Sequence, residues 1–259
     1  LNKLLIRILL HLQVEFSNKD MESIIKRHRI ALVLAGGYGG RMHMETPKQF
    51  LLLQGMPVIA HTLKAFENHP EIDVIAVVCL SGWEEYVERV KHDFHITKLQ
   101  HIFSGGSNSH ISIGNGIKGL SHYYTRDDIV LVHEAVRPLL SAKIISENIR
   151  ICELYGNAIT AVRDNEAVMY TEDGVSSYRC FPREQMYKAQ TPHTFVLRDL
   201  EIAYQEAEQK SICAQSLYTL MAELKRFPLY IAEGERRNIK LTHPEDIRIA
   251  EALLSTEMI

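Results

Sequence analysis

The densest run of chemistry-bearing residues is Ala35-Gly36-Gly37-Tyr38-Gly39-Gly40-Arg41-Met42, followed closely by Pro47-Lys48-Gln49. Glycines let backbone N–H groups approach phosphate oxygens with no side chain between them. Arg41 and Lys48 add two cations beside the same loop. Attack at an α-phosphate builds negative charge on the non-bridging oxygens and on the departing pyrophosphate, and preorganised donors and cations lower such a barrier. Two commoner glycine motifs do not fit. A Walker loop needs Gly-Lys-Ser/Thr, whereas Gly40 is followed by Arg41, and a dinucleotide fingerprint counted from Gly37 needs glycine where Met42 stands. A plain strand-to-helix turn accounts for the glycines but not for the Arg and the Pro-Lys-Gln that follow.

A second cluster is Val132-His133-Glu134-Ala135-Val136-Arg137-Pro138. A carboxylate at the end of a buried strand is placed to hold Mg²⁺ against triphosphate oxygens. Arg137 is placed to contact phosphate or to tie the loop down. The alternative for Glu134 is a simple ion pair with a neighbouring arginine. The run starts like a zinc-binding His-Glu-x-x-His but ends in Arg137, so zinc is not expected. A third cluster, Gly105-Gly106-Ser107-Asn108-Ser109-His110-Ile111-Ser112-Ile113-Gly114-Asn115-Gly116, is a glycine-rich loop opening a helix near Ser112. It suits contact with a base or ribose, although Gly/Ser loops are commonly plain turns. In the fourth, Asn238-Ile239-Lys240-Leu241-Thr242-His243-Pro244-Glu245-Asp246, Thr242 and Pro244 read as a helix start with acids in its first turn. Lys240, just upstream, is in reach of phosphates unless it is simply solvated.

These loops must be positioned by strands and helices, and the chain alternates the two. Short apolar runs at residues 30–34, 74–78, 129–133 and 158–162 read as strands buried on both faces, with another ending near Ile102-Phe103. Helical patterns cover 57–66, 83–93, 112–120, 197–209, 215–225 and 244–254, and a late strand covers 229–232. The expected fold is therefore a Rossmann-like, doubly wound α/β sheet, mostly parallel, with ligands bound beyond the carboxyl ends of the strands. The loops starting at Ala35, Gly105 and Glu134 would share that edge. Between about 163 and 188 the pattern changes to a hairpin, with strands at 168–170 and 175–178 around a Glu172-Asp173-Gly174 turn. A two-stranded ribbon is marginal alone, so this protruding β-hairpin arm is expected to pack on something, a second subunit being the natural candidate.

With 259 residues the chain can bury a sizeable core as one large domain, here residues 29–259, behind an N-terminal extension, 1–28. The extension is interrupted by Lys3, Arg7 and His11, which argues against a bilayer span or a secretory signal. A formal net charge of -3 gives no basic surplus, so nucleic acid is not an expected partner and phosphate-binding charge must be local. The four cysteines, Cys79, Cys152, Cys180 and Cys213, lie far apart, with no zinc or disulfide pattern, which fits a reducing cytoplasm.

Taken together, the four clusters resemble the cytidylyltransferases that act on methylerythritol 4-phosphate and their relatives acting on ribitol 5-phosphate. That family shows an Ala-Gly-rich loop ending in Arg-Met and then Pro-Lys-Gln. It also shows His-Asp-Ala-x-Arg-Pro, Gln-Thr-Pro-Gln-x-Phe and Asn-Ile-Lys-x-Thr-x-Pro-Glu-Asp. Here these stand at Arg41-Met42, at Pro47-Lys48-Gln49, from His133 to Pro138, at Gln190-Thr191-Pro192-His193-Thr194-Phe195, and from Asn238 to Asp246. The resemblance implies a fold of the nucleotide-diphospho-sugar transferase type and a Mg²⁺-dependent, in-line attack of a polyol phosphate on the α-phosphate of CTP. By the same resemblance Arg41 and Lys48 take the transition-state roles, and Ala35, Gly36, Gly37, Gly39, Gly106, Ser112 and Lys240 bind CTP. Glu134 holds the metal, Arg163, Asp164 and Arg137 serve the acceptor, and the arm reaches into the other subunit of a homodimer.

The chain departs from that pattern mainly on the acceptor side. Glu134 replaces the family's Asp, and Ser109, beside His110, stands where Arg is usual. The family's Asp-Thr pair aligns directly with Glu166-Ala167, or with Arg163-Asp164 after a shift. An acidic position common near residues 211–216 is absent. Pro182-Arg183-Glu184-Gln185-Met186-Tyr187 and Val136 look more like the ribitol-phosphate branch. Two other classes stay open: a nucleotidyltransferase for another sugar phosphate, and a degenerate relative that binds nucleotide without turnover.

Overall fold

Strands form wherever an apolar run has no polar face to show. The computed structural model describes residues 27–38 and 46–255. Most of the N-terminal extension, and Gly39, Gly40 and Arg41 of the first loop, lie outside the described residues. In chain order the elements are β1 (Arg29–Ala35), β2 (Leu52–Leu53), β3 (Met56–Pro57), α1 (Val58–Glu67), β4 (Val74–Cys79), α2 (Glu84–Asp93), β5 (Leu99–Ser104) and α3 (Ser109–Leu120). There follow β6 (Ile129–Glu134), α4 (Ala142–Tyr155), β7 (Asn157–Arg163), β8 (Met169–Tyr170), β9 (Arg179–Cys180), β10 (Tyr187–Val196), α5 (Leu197–Gln209), α6 (Leu217–Leu224), β11 (Ile231–Glu233) and α7 (Pro244–Ser255).

The central sheet has the order β11-β7-β10-β6-β1-β4-β5. β1 pairs in parallel with β4 and β6, β4 with β5, and β7 with β11, whereas β10 runs antiparallel between β6 and β7. The sheet is thus mostly parallel, and the carboxyl ends of β1, β5 and β6 lie along one edge. Alternation along each strand splits the core in two. Ala31, Val33, Ile75 and Val77 pack with Ile59, Leu63 and Phe66 of α1, Val87 of α2 and Ile145 of α4. Ile30, Leu32, Ala76 and Val78 pack with Ile117 of α3, Leu200 of α5 and Leu220 of α6. Each fully buried aliphatic side chain contributes about 1.5–3 kcal/mol, so the sheet is a stiff base for the loops above it.

Several elements differ from the sequence-based expectation. α3 opens at Ser109 rather than near Ser112, because Asn108 caps it through a side-chain oxygen that accepts from Ile111 N at 2.9 Å. The arm's second strand falls at Arg179–Cys180 instead of 175–178. Residues just after the turn are held in a loop by Asp173, whose Oδ1 accepts from Val175 N at 2.9 Å and from Ser176 N at 2.8 Å. Besides the short β2–β3 pair, two longer elements were not expected. α4 is capped by Ser141 and closed by Gly156 at φ 89°. β10 is a central strand despite Pro192, because its register with β7 shifts between Ala189 and His193 and the proline sits in that bulge. Two of its polar groups are satisfied internally: Thr194 Oγ1 donates to Asn148 Oδ1 at 3.0 Å, and the Pro192 carbonyl accepts from Thr160 Oγ1 of β7 at 2.6 Å.

Candidate active site

A cleft of about 330 Å³ opens at the carboxyl edge of the sheet, lined from β1, the loop between β5 and α3, β6, β10 and the segments before α6 and α7. Its first wall is built where two glycine loops touch. A Cβ on Gly36 would lie 3.1 Å from Ser112 Oγ, and one on Gly105 would lie 2.9 Å from the Cys79 carbonyl oxygen and 3.3 Å from Gly36 Cα. Side chains at these positions would drive the loops apart. Ser112 Oγ accepts from Gly106 N at 2.9 Å and donates to the Asn108 carbonyl at 2.8 Å, so the expected nucleotide contact is also the clasp of its own loop.

Gln49 holds the other loop. Its side chain is buried, and Nε2 donates to the Ala35 carbonyl at 2.8 Å and the Gly37 carbonyl at 2.9 Å. That grip holds both carbonyls against the buried Gln49 side chain. The preceding residue, Lys48, lines the cleft. Its short turn, Lys48–Phe50, is anchored by Phe50, which stacks on Trp83 with ring centroids 4.5 Å apart. The sequence marks Pro-Lys-Gln as a unit but assigns Gln49 nothing. Its role follows from a three-dimensional contact between residues 12 and 14 positions apart.

The floor of the cleft is Glu134, at the end of β6. Oε2 accepts from Arg137 Nε at 2.8 Å, and Oε1 accepts from Lys240 Nζ. Burial pushes the carboxyl up, but the charges and hydrogen bonds of Lys240 and Arg137 outweigh it and hold the group at about 2. Arg137 Nη1 also donates to the Asn238 carbonyl at 2.8 Å, and Arg137 does not line the cleft. Of the possibilities raised from sequence, the ion pair of Glu134 with a neighbouring arginine and the tying-down of the loop by Arg137 are present, and the acid also lines the cleft.

Beneath Glu134 lies a buried network. His133 Nε2 is 3.2 Å from the Arg137 carbonyl, and its Nδ1 is 3.0 Å from Thr191 Oγ1. A carbonyl only accepts, so Nε2 carries the proton and Nδ1 accepts from the threonine hydroxyl. Burial pushes this imidazole down to about 3, so it is neutral at ordinary pH. Thr191 Oγ1 in turn accepts from Glu134 N at 3.2 Å. Asn238 Nδ2 donates to the Thr191 carbonyl at 2.9 Å, and Gln190 Nε2 to the Glu235 carbonyl at 2.8 Å. Three segments distant in sequence are thereby fastened together, with Glu134 and Lys240 at the surface of the knot.

Of the residues expected from sequence, Ala35, Gly36, Gly37, Lys48, Gly106, Ser112, Glu134 and Lys240 line this one cleft. Gly39 and Arg41 lie outside the described residues. Arg163 and Asp164 do not line it. They stand at the end of β7, where Arg163 Nη2 is 3.3 Å from Tyr187 Oη and Asp164 Oδ2 is 3.2 Å from Lys188 Nζ. The far wall adds residues to which the sequence gave no role: Thr191, His193, Gln215 and Ser216. Thr191 and His193 stand in the motif from Gln190 to Phe195, and the signal for Gln215 and Ser216 is polarity just beside a buried helix.

Among the described residues no three His, Cys, Asp or Glu side chains gather as a metal cluster. A lone carboxylate at the cleft floor still fits a divalent cation of the Mg²⁺ type, which is usually held by one or two carboxylates together with substrate phosphates. No helix among the described residues is long and apolar enough to cross a membrane.

Comparison with known proteins agrees with this geometry. A ribitol-5-phosphate cytidylyltransferase of Lacticaseibacillus paracasei is 38% identical over 227 residues, covering 86% of this chain and 97% of the relative. A 2-C-methyl-D-erythritol 4-phosphate cytidylyltransferase of Clostridium acetobutylicum is 32% identical over 231 residues, covering 88% and 98%. The crystal structure of a 2-C-methyl-D-erythritol 4-phosphate cytidylyltransferase from Thermus thermophilus matches with a TM-score of 0.69 at 26% identity, over 88% of this chain and 98% of that one. A synthase structure from Anaerococcus prevotii, at 22% identity and a TM-score of 0.75 over 88% and 99%, shares the fold. Since residues 29–256 match the family model of IspD, 2-C-methyl-D-erythritol 4-phosphate cytidylyltransferase, the chain belongs to that family.

Proposed function

We propose that the protein transfers a cytidylyl group from CTP to a polyol phosphate, ribitol 5-phosphate or 2-C-methyl-D-erythritol 4-phosphate, and releases pyrophosphate. The observation that carries this is the meeting, in one cleft, of two glycine loops, Lys48 and the Glu134–Lys240 pair. The amides of Ala35, Gly36, Gly37 and Gly39, with Gly106, Ser112 and Lys240, bind the nucleotide. Arg41 and Lys48 stabilise the charge that grows on the α-phosphate and the leaving pyrophosphate. Mg²⁺, held by Glu134 together with the triphosphate, would neutralise phosphate charge and orient the oxygens. Lys240 then moves from Glu134 to phosphate, and Arg137 keeps the carboxylate in place.

Ribitol 5-phosphate is the favoured acceptor, because the Lacticaseibacillus relative carries that name at 38% identity. Arg163 and Asp164 stand off their own chain's cleft, which supports an acceptor role across a homodimer joined by the arm. The arm's apolar side chains agree, for Val175 is 91% exposed and Met169 74% exposed in the single chain. Sedimentation equilibrium is expected to give twice the chain mass, and a monomer at micromolar concentration would remove the cross-subunit role.

The decisive assay incubates the protein with Mg²⁺, each of the four nucleoside triphosphates and a panel of polyol and hexose phosphates, following pyrophosphate. Release is expected with CTP and a polyol phosphate. Release with another nucleotide and a hexose phosphate would replace this function with sugar-nucleotide synthesis. CTP binding without release from any acceptor would identify a degenerate relative.

A further inference from the structure

The far wall of the cleft contains an acceptor atom with nothing to accept. His193, on β10, is 5% exposed and lines the cleft, and its Nε2 is buried with no hydrogen-bond partner. With Nε2 unpartnered, the Gln190 backbone acceptor that acts on this imidazole is on its Nδ1 side. Burial pushes this imidazole down to about 4, so it is neutral at ordinary pH. A neutral ring whose Nδ1 proton points at a carbonyl has a lone pair and no proton on Nε2, which makes that atom an acceptor only. Native folds rarely leave such an atom unsatisfied without a functional reason.

The surroundings narrow what could satisfy it. Among the described residues lining the cleft the cations are Lys48 and Lys240, and neither the strand nor the loop next to His193 adds another. Thr191 has its hydroxyl committed to His133 and to Glu134 N, and Ser216 Oγ accepts from Thr219 N at 3.2 Å to cap α6. Tyr218, in the first turn of α6, holds its ring centroid 6.3 Å from that of His193. The charged groups that act on the ring are Glu134, Arg137 and Lys240, and both cations are paired with the Glu134 carboxylate, so what this end of the cleft offers a ligand is mainly uncharged hydrogen-bonding groups. It suits the hydroxylated part of a ligand rather than its phosphates, which at neutral pH bring acceptors and no donor for Nε2.

We propose that His193 is a specificity-determining residue, whose Nε2 accepts a hydrogen bond from a hydroxyl on the carbon chain of the acceptor substrate. The cleft then selects polyhydroxylated phosphates over deoxygenated ones. The hydroxyl enters beside the Tyr218 ring and completes the partnership that the empty cleft leaves open. This inference rests on the polyol phosphate function proposed above and adds the group that reads the polyol.

His193→Phe keeps the ring's bulk and removes the acceptor. Steady-state kinetics with CTP and ribitol 5-phosphate are expected to show KM for the polyol phosphate raised about tenfold, the scale of one lost substrate hydrogen bond, with KM for CTP within about twofold. The melting temperature should change little, because removing the orphaned Nε2 is offset by losing the Nδ1 donor to the Gln190 backbone. A merely structural histidine would give the opposite result, a lower melting temperature and no selective change in KM. His193→Gln, which offers a carbonyl oxygen, should recover most of the affinity. Wild-type protein assayed with ribitol 5-phosphate deoxygenated one carbon at a time gives a check that needs no variant. One carbon is expected to cost about tenfold in kcat/KM in the wild type.

Unchanged acceptor KM in His193→Phe alongside normal wild-type turnover overturns this inference alone. So does a parallel rise in KM for CTP, or indifference to every deoxygenation. Wild-type protein that releases no pyrophosphate from CTP with any polyol phosphate overturns the proposed function and this inference with it.

Discussion

Lys48→Ala is expected to lower kcat by about 10²–10³-fold, the range found when one preorganised donor to a developing oxyanion is removed. KM for CTP should change by less than about threefold, because an interaction made mainly in the transition state lowers kcat and kcat/KM together. The reason lies in how the lysine is carried. Its turn is pinned on one side by Gln49, bonded to the Ala35 and Gly37 carbonyls, and on the other by Phe50 stacked on Trp83. Truncating Lys48 leaves both anchors intact, so the turn that carries it keeps its place. Lys48→Arg is expected to restore only part of the rate, since a planar fork does not replace a compact ammonium group at a fixed point. Stopped-flow nucleotide binding beside steady-state turnover makes the distinction. Equal losses in CTP affinity and in rate would assign Lys48 to ground-state binding.

Glu134→Gln should damage both activity and stability. At pH 7 it removes the negative charge that Lys240 and Arg137 share, leaving two cations facing each other in a partly buried site. Removing one partner of such a pair typically costs about 3–5 kcal/mol when buried, and somewhat less here because the carboxylate is partly exposed. We expect a loss of a few kcal/mol and a fall in kcat of at least about 10²-fold, as one charged element of a preorganised site disappears. The stability difference has a definite pH dependence. The Glu134 carboxyl is held at about 2 in the folded chain against an ordinary value of 4.5, so the folded state binds this proton more weakly than the unfolded state does. Its stabilisation is therefore complete above the unfolded value and is lost as pH falls from about 4.5 towards 2. Melting temperatures of wild type and Glu134→Gln should lie well apart at pH 7, draw together as pH falls below about 4.5 and converge only near pH 2. A gap that stays constant over that interval would mean the ion pair contributes nothing. Glu134→Asp keeps the charge and should keep the pH dependence, with weaker pairing to Lys240.

The nucleotide side of the site was legible in the chain because its signals are local. Glycines at 36, 37, 105 and 106 announce close backbone approach, and a buried apolar run ending in Glu134 announces a strand-end acid. The acceptor side was less legible. β10 reads as polar and contains Pro192, and only the register shift between Ala189 and His193 lets it run through the middle of the sheet. The arm's second strand was expected too early, because Asp173 captures the residues that follow the turn. Arg163 and Asp164 were expected to serve the acceptor from the family resemblance alone, and strand pairing puts them at the base of the arm, away from their own chain's cleft.

Sequence by itself determined the mostly parallel α/β sheet, the shared edge of the loops after Ala35, Ser104 and Glu134, and the kinship that the separated motifs carry. Those properties depend on burial periodicity and on glycine, which act over a few residues. Tertiary structure alone decided that Glu134 meets Lys240 across 106 positions, that Gln49 grips the carbonyls of the glycine loop, and that His193 faces the cleft with an unsatisfied nitrogen. Which polar atoms find partners depends on strand order and register, and in this sheet both are fixed by an antiparallel strand that no local pattern revealed.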